Sequence, residues 1–156
     1  MDLTFSVMIH VSRPVHEVFE AVADPKQLSA YFTTGGASAR LETGTTVTWD
    51  FHDFPGAFPV EVVEVVPNER IMLRWKANEQ PSEGEPPVPA YQTTVTMSFK
   101  RTDDDRTLVR IEEHGWRDTE GGLKASYGNC MGWSQMLAAL KAWKEYGINL
   151  REGAYK

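Results

Sequence analysis

Glu113 is the one carboxylate whose position suggests chemistry. It follows Val109 and Ile111 at a spacing of two in Thr107 to His114, a run that reads as a β-strand. The same parity carries Glu113 to the apolar side and leaves Arg110 and Glu112 on the wet side. A carboxylate facing an apolar cavity resists ionisation unless donors compensate, so Glu113 is a candidate polar handle or general acid for a ligand. The alternative keeps it at the rim of the strand, wet or paired with an arginine. Other catalytic patterns fail. His10, His16, His52 and His114 do not cluster, and the single Cys130 excludes both a disulfide framework and a cysteine-based zinc site, so no metal is expected. Gly132-Trp-Ser-Gln-Met136 begins like a nucleophile elbow but lacks its closing glycine and falls inside a helical pattern. No phosphate loop or dinucleotide fingerprint is present, and no cofactor is expected.

The elements that position these residues follow from periodicity. Leu3 to Val11 alternates as a strand, Ser12 and Pro14 open a helix carrying Val15, Val18, Phe19 and Val22, and a short helical piece runs from Pro25 to Tyr31. Strands are expected at Val47 to His52, Phe58 to Val66, Ile71 to Lys76, Thr93 to Arg101 and Thr107 to His114, with a weaker one at Ala37 to Glu42. The parity of Val60, Val62, Val63 and Val65 breaks, which places a bulge at Val62-Val63. Between Ala77 and Ala90 lies an acidic, proline-rich loop, expected to be mobile and outside the sheet. From Ala125 to Tyr146 a long helix puts Trp133, Met136, Leu137, Leu140 and Trp143 on one stripe. Gly128 and Gly132 make Tyr127 to Gly132 its weak part, a gate to any cavity, and Lys144 falls on the stripe unless it snorkels outward.

At 156 residues the prior is one domain, residues 1–156, with a substantial core. Sixteen basic against twenty-two acidic side chains give a net charge of −6. That charge disfavours nucleic acid and anionic membrane surfaces as partners. With neither a leader-like start nor a membrane-length apolar run, the expected location is cytoplasmic.

Ile9-His-Val-Ser-Arg-Pro-Val-His-Glu-Val-Phe-Glu-Ala-Val-Ala-Asp-Pro25, with Leu28 and Tyr31-Phe32 after it, resembles the opening of the activator of Hsp90 ATPase homologue 1-like (AHSA1-like) family. Val62-Val-Glu-Val-Val-Pro-Asn-Glu-Arg-Ile-Met-Leu-Arg-Trp75, Thr94-Val-Thr-Met-Ser-Phe99, Thr107 to Trp116 and Gly132-Trp133 continue the resemblance over almost the whole chain. It departs at Tyr31, where the family often has Trp, at the single Gly44, and in the loop from Asn78 to Pro89. The family belongs to the START/Bet v 1-like (SRPBCC) superfamily. The resemblance implies an α+β helix-grip fold: a curved antiparallel sheet of six to seven strands around a long C-terminal helix, with two short helices after the first strand. It also implies a cavity between sheet and helix for a small hydrophobic or aromatic molecule, lipid-like or polyketide-like. The expected lining is Trp49, Phe51, Trp75, Met97, Phe99, Ile111, Glu113, Trp133 and Leu137. Two alternatives stay open: a cyclase-like or hydrolase-like enzyme using Glu113, and an interaction module that stimulates an Hsp90-type chaperone. A homodimer is the further association considered.

Overall fold

The computed structural model describes the backbone of residues 1–156 and every side chain except that of Pro55. Strand β1 (Leu3–Val11) leads into α1 (Val15–Ala23) and α2 (Pro25–Tyr31), then β2 (Gly36–Ala37), β3 (Thr46–Phe51), β4 (Phe54–Val66), β5 (Arg70–Lys76), β6 (Gln92–Arg101), β7 (Thr107–Trp116) and α3 (Glu120–Tyr146). All seven strands form one sheet in the order β1-β7-β6-β5-β4-β3-β2, and every neighbouring pair is antiparallel. This is the helix-grip α+β architecture. The short connections follow local chemistry: Asn68 and Asp105 adopt positive φ in two of the hairpin turns, a conformation these side chains tolerate.

Period-two burial builds the inner face. Thr93, Val95, Met97 and Phe99 of β6 and Thr107, Val109, Ile111 and Glu113 of β7 are buried while their neighbours are not. Against that face α3 lays Trp133, Met136, Leu137 and Leu140, and Val18, Phe19 and Val22 of α1 close one side. The hydroxyl oxygen of Thr119 caps α3 by accepting from the Gly122 amide at 2.9 Å, and Gly147 at φ 67° ends it in the left-handed conformation. No described helix is long and apolar enough to cross a membrane.

The expected bulge lies where the parity broke, since Val62 pairs with Leu73 and Glu64 with Met72, leaving Val63 between them. A second irregularity was not expected. Leu3 pairs with Trp116 but Thr4 with His114, and the residue left over, Gly115, sits at φ 110°. That slip returns Trp116 to the buried side.

Several boundaries differ from the expected ones. The weak strand at Ala37 to Glu42 reduces to the two residues of β2, and β4 begins at Phe54 rather than Phe58. Ser12 does not cap α1: Pro14 occupies the cap position, and the Ser12 amide instead donates to Glu145 on α3 at 3.0 Å. The long helix starts at Glu120, because the Thr119 cap offsets the propensity cost of Gly121 and Gly122.

Candidate functional site

Parity alone brings Glu113 inward, and burial is complete: the residue has 0% exposure. Four side chains from three elements converge on it. Its Oε1 accepts from Trp133 Nε1 at 2.8 Å, and its Oε2 from Thr93 Oγ1 at 2.7 Å and Trp75 Nε1 at 3.0 Å. Asn129 Nδ2 donates to both oxygens, at 3.1 and 2.9 Å. An indole nitrogen can only donate, so both oxygens must be acceptors on those sides, and the acceptor capacity of the carboxylate is filled by the protein itself. The donors occur where they do for simple reasons. Thr93 pairs with Trp75 across β5 and β6, and Asn129 and Trp133 are four residues apart on one face of α3.

Around this knot the rings leave little room. Trp75 stacks on Trp133 with centroids 5.3 Å apart, and Trp49 meets Trp75 edge-on at 5.9 Å. Phe32 of the α2 end bridges Trp49, Phe51 and Trp133 at 5.1–5.7 Å. Trp49, Met97, Phe99, Ile111, Trp133 and Leu137 belong to the packed core, and Phe51 packs against it. None of these seven lines either of the two cavities described below.

An apolar cavity opens one layer further out. It has a volume of about 630 Å³ and is walled by Phe54, Phe58 and Pro59 of β4, Trp75 at the end of β5, the loop from Asn78 to Pro89, and Asn129 of α3. That size lies within the usual range for small-molecule sites. Of the nine residues expected at a ligand, Trp75 forms its wall, and Glu113 sits behind the wall, bonded to both Trp75 and Asn129. A neighbouring cavity of about 660 Å³ shares Phe54, Asn78, Gln80, Pro81 and Asn129 with the first and extends along Gly128, Met131 and Gly132 to Tyr155.

The loop expected to be mobile is tethered at its start. Glu79, whose side chain is only 2% exposed, accepts from Arg117 Nη2 at 2.8 Å and Nε at 3.1 Å, from Thr119 Oγ1 at 2.7 Å, and from the Tyr91 hydroxyl. The Arg117 guanidinium, ahead of the other donors, holds the Glu79 carboxyl down to about 2. Beside it the Gln80 carbonyl approaches α3 so closely that a Cβ on Gly121 would stand 2.7 Å from it. The loop thus docks on the first turn of α3, and only glycine fits there.

On the other side the C-terminal segment folds over the β3–β4 hairpin. Arg151 donates to both oxygens of Asp53 at 2.6 and 2.8 Å, with both side chains buried, and its guanidinium lies over Tyr155 at 4.4 Å and Phe51 at 5.3 Å. Arg151 thereby holds Asp53 below the usual carboxylate range. Tyr155 in turn contacts Phe54 at 5.8 Å, so the tail helps to fix the cavity wall. Glu79, Asn129, Asp53 and Arg151 were missed by sequence reasoning. The i,i+4 relation of Asn129 to Trp133 could have indicated the second; no local pattern announces a pair 98 positions apart. All four histidines are exposed, and no group of metal-binding side chains occurs among the described residues.

A curved sheet gripping a long helix, with an apolar cavity at its mouth, defines a helix-grip protein of the START/Bet v 1-like type. The family model described as activator of Hsp90 ATPase homolog 1-like protein matches residues 12–145, and the chain belongs to that family. No curated protein matches it. Among solved structures it is similar to the protein SSP2350 of Staphylococcus saprophyticus, 23% identical over 96% of each chain with a TM-score of 0.76. It is similar to DynU16, from the dynemicin biosynthetic locus, at 25% identity over 92% of this chain but 48% of that one, TM-score 0.74. It is also similar to the Aha1 dimer of Colwellia psychrerythraea, 18% identical over 94% and 99%, TM-score 0.69.

Proposed function

We propose that this protein binds a small hydrophobic or aromatic molecule, lipid-like or polyketide-like in body, in the cavity over Trp75. The carrying observation is a cavity of about 630 Å³ walled by Phe54, Phe58, Trp75 and a run of prolines, next to a core that is already filled. Binding draws on apolar burial at about 25 cal/mol per Å², less the cost of ordering ligand and loop. The likeness to DynU16, a protein of a biosynthetic locus, supports a small-molecule ligand. Proton transfer by Glu113 is not part of this reading, because its oxygens are occupied by four protein donors. Stimulation of a chaperone ATPase is not part of it either.

The test is tryptophan fluorescence during titration with aromatic and aliphatic compounds. Trp75 is the tryptophan in the cavity wall, so binding should change the emission of the native protein and change it much less in Trp75→Phe. Silence across the whole series, together with no ligand-induced protection of the 78–89 backbone in hydrogen exchange, would sink the reading.

Self-association is a second part of the proposal. α3 carries no charged residue between Lys124 and Lys141, and Tyr127 and Met131 are exposed there. A second copy meeting that face brings no like charges into direct contact, which limits the repulsion that a net charge of −6 imposes. The Colwellia relative is a dimer. Light scattering should give twice the chain mass for the native protein and the monomer mass for Tyr127→Lys; a native monomer at high concentration removes this part.

A further inference from the structure

We propose that the side-chain carbonyl of Asn129 is the acceptor through which the cavity selects its ligand. It favours an apolar, aromatic-bodied molecule that carries a neutral hydroxyl or N–H donor. This rests on the cavity reading above and adds the chemistry of the ligand.

Asn129 is half-buried and lines both cavities, at their junction. Its amide nitrogen is committed to Glu113, at 2.9 Å from one oxygen and 3.1 Å from the other. Rotating the amide would turn its oxygen toward a carboxylate that cannot donate, replacing two attractions by a repulsion between acceptors. Glu113 therefore acts as a positioning residue: it fixes which end of the Asn129 amide faces away from the knot. Among the described residues Asn129 Oδ1 accepts no hydrogen bond, so the wall presents an acceptor without a partner.

Trp75 donates to the same Glu113 oxygen as Asn129, at 3.0 Å, which fixes the indole ring beside the amide. A flat ligand lying on Trp75 thus has the Asn129 carbonyl beside it, whereas the other neutral polar side chains of the lining, Asn78 and Gln80, are exposed and bonded to each other at 3.3 Å. The charged lining groups, Lys76 and Glu85, are exposed at the rim, and the Glu79 carboxylate is used by Arg117, Tyr91 and Thr119. A neutral donor is what the interior polar group rewards. An apolar molecule without one leaves the carbonyl desolvated and unpaired.

The experiment compares 2-naphthol with 2-methoxynaphthalene, which keeps the ring system and replaces the donor by an ether. Isothermal titration calorimetry on the native protein should find 2-naphthol bound about five-fold tighter, the scale of one neutral hydrogen bond. In Asn129→Leu the ratio should fall to about one. Equal affinities in the native protein, or a ratio that survives in Asn129→Leu, overturn the assignment. Because that variant also strips a donor from Glu113, a second readout uses native protein with ¹³C-labelled asparagine. The Asn129 carbonyl resonance should shift with 2-naphthol and not with the ether, and the same shift for both overturns the proposal. Binding of neither probe overturns the cavity reading itself and the Asn129 assignment with it.

Discussion

Trp75 and Trp133 stack 5.3 Å apart, one from the sheet and one from the helix, and their indole N–H groups close on opposite oxygens of the same carboxylate. The pair joins α3 to β5 through Glu113 of β7. An apolar contact between the two rings would tolerate sliding; a shared acceptor does not, because Trp133 is buried and Trp75 partly so, and a donor left unmade there costs free energy.

Replacing Glu113 by Gln should therefore destabilise the fold rather than abolish a chemical step. Whichever way the new amide points, its N–H₂ faces an indole N–H. A loss of about 2–3 kcal/mol is expected in urea unfolding, with a changed near-ultraviolet tryptophan signal. Unchanged stability would mean that the four donors contribute nothing net.

Acid should release the loop that closes the cavity. The Glu79 carboxyl is held at about 2 in the fold against an ordinary value of 4.5. Its contribution is complete above pH 4.5 and is lost as the pH falls through the folded value. Hydrogen exchange at residues 78–89 should accelerate between pH 4.5 and about 2. Other carboxylates titrate in the same interval, so the comparison is with Glu79→Gln, in which this component of the slope should be missing.

Removing one partner of the Asp53–Arg151 pair strands a buried charge. Arg151→Ala should cost about 3 kcal/mol and loosen Tyr155 from Phe54, whereas the double variant Asp53→Asn, Arg151→Met should cost less than the single one. Denaturant titration of the three proteins decides it. A single variant as stable as the parent would show that the tail does not hold the hairpin.

Gly128 and Gly132 stand on α3 with open space where a Cβ would project. Gly128→Ala and Gly132→Ala should each stabilise the protein by about 0.5–1 kcal/mol. In the parent, exchange over Tyr127–Gly132 should be faster than beyond Trp133, and the alanines should slow it. Equal protection in the two halves of the parent helix would count against a gate in that stretch, which lines the second cavity.

Much of the fold is legible residue by residue. Alternation in Val95, Met97, Phe99, Val109 and Ile111 gives the inner face, broken parity marks the bulge at Val63, and the Trp133–Leu140 stripe gives the gripped helix. The inward turn of Glu113 follows from the same alternation. Less legible was what those inward residues do, because parity states a direction and not the space left at the end of it. Trp49, Phe51 and Trp133 point inward and meet Phe32, which fills the volume between them. The cavity wall comes instead from Phe54, Phe58 and the docked loop.

By itself the sequence determined the elements, their faces and the family, since these depend on periodicity and on turn and cap chemistry within a few residues. Only the tertiary structure decided the site. Glu113 with Trp75 and Asn129, Glu79 with Arg117, and Asp53 with Arg151 are separated by 38, 16, 38 and 98 positions. Such pairs form because the sheet and helix bring polar groups into places without water, where each must find a partner, and no local pattern encodes which one it finds.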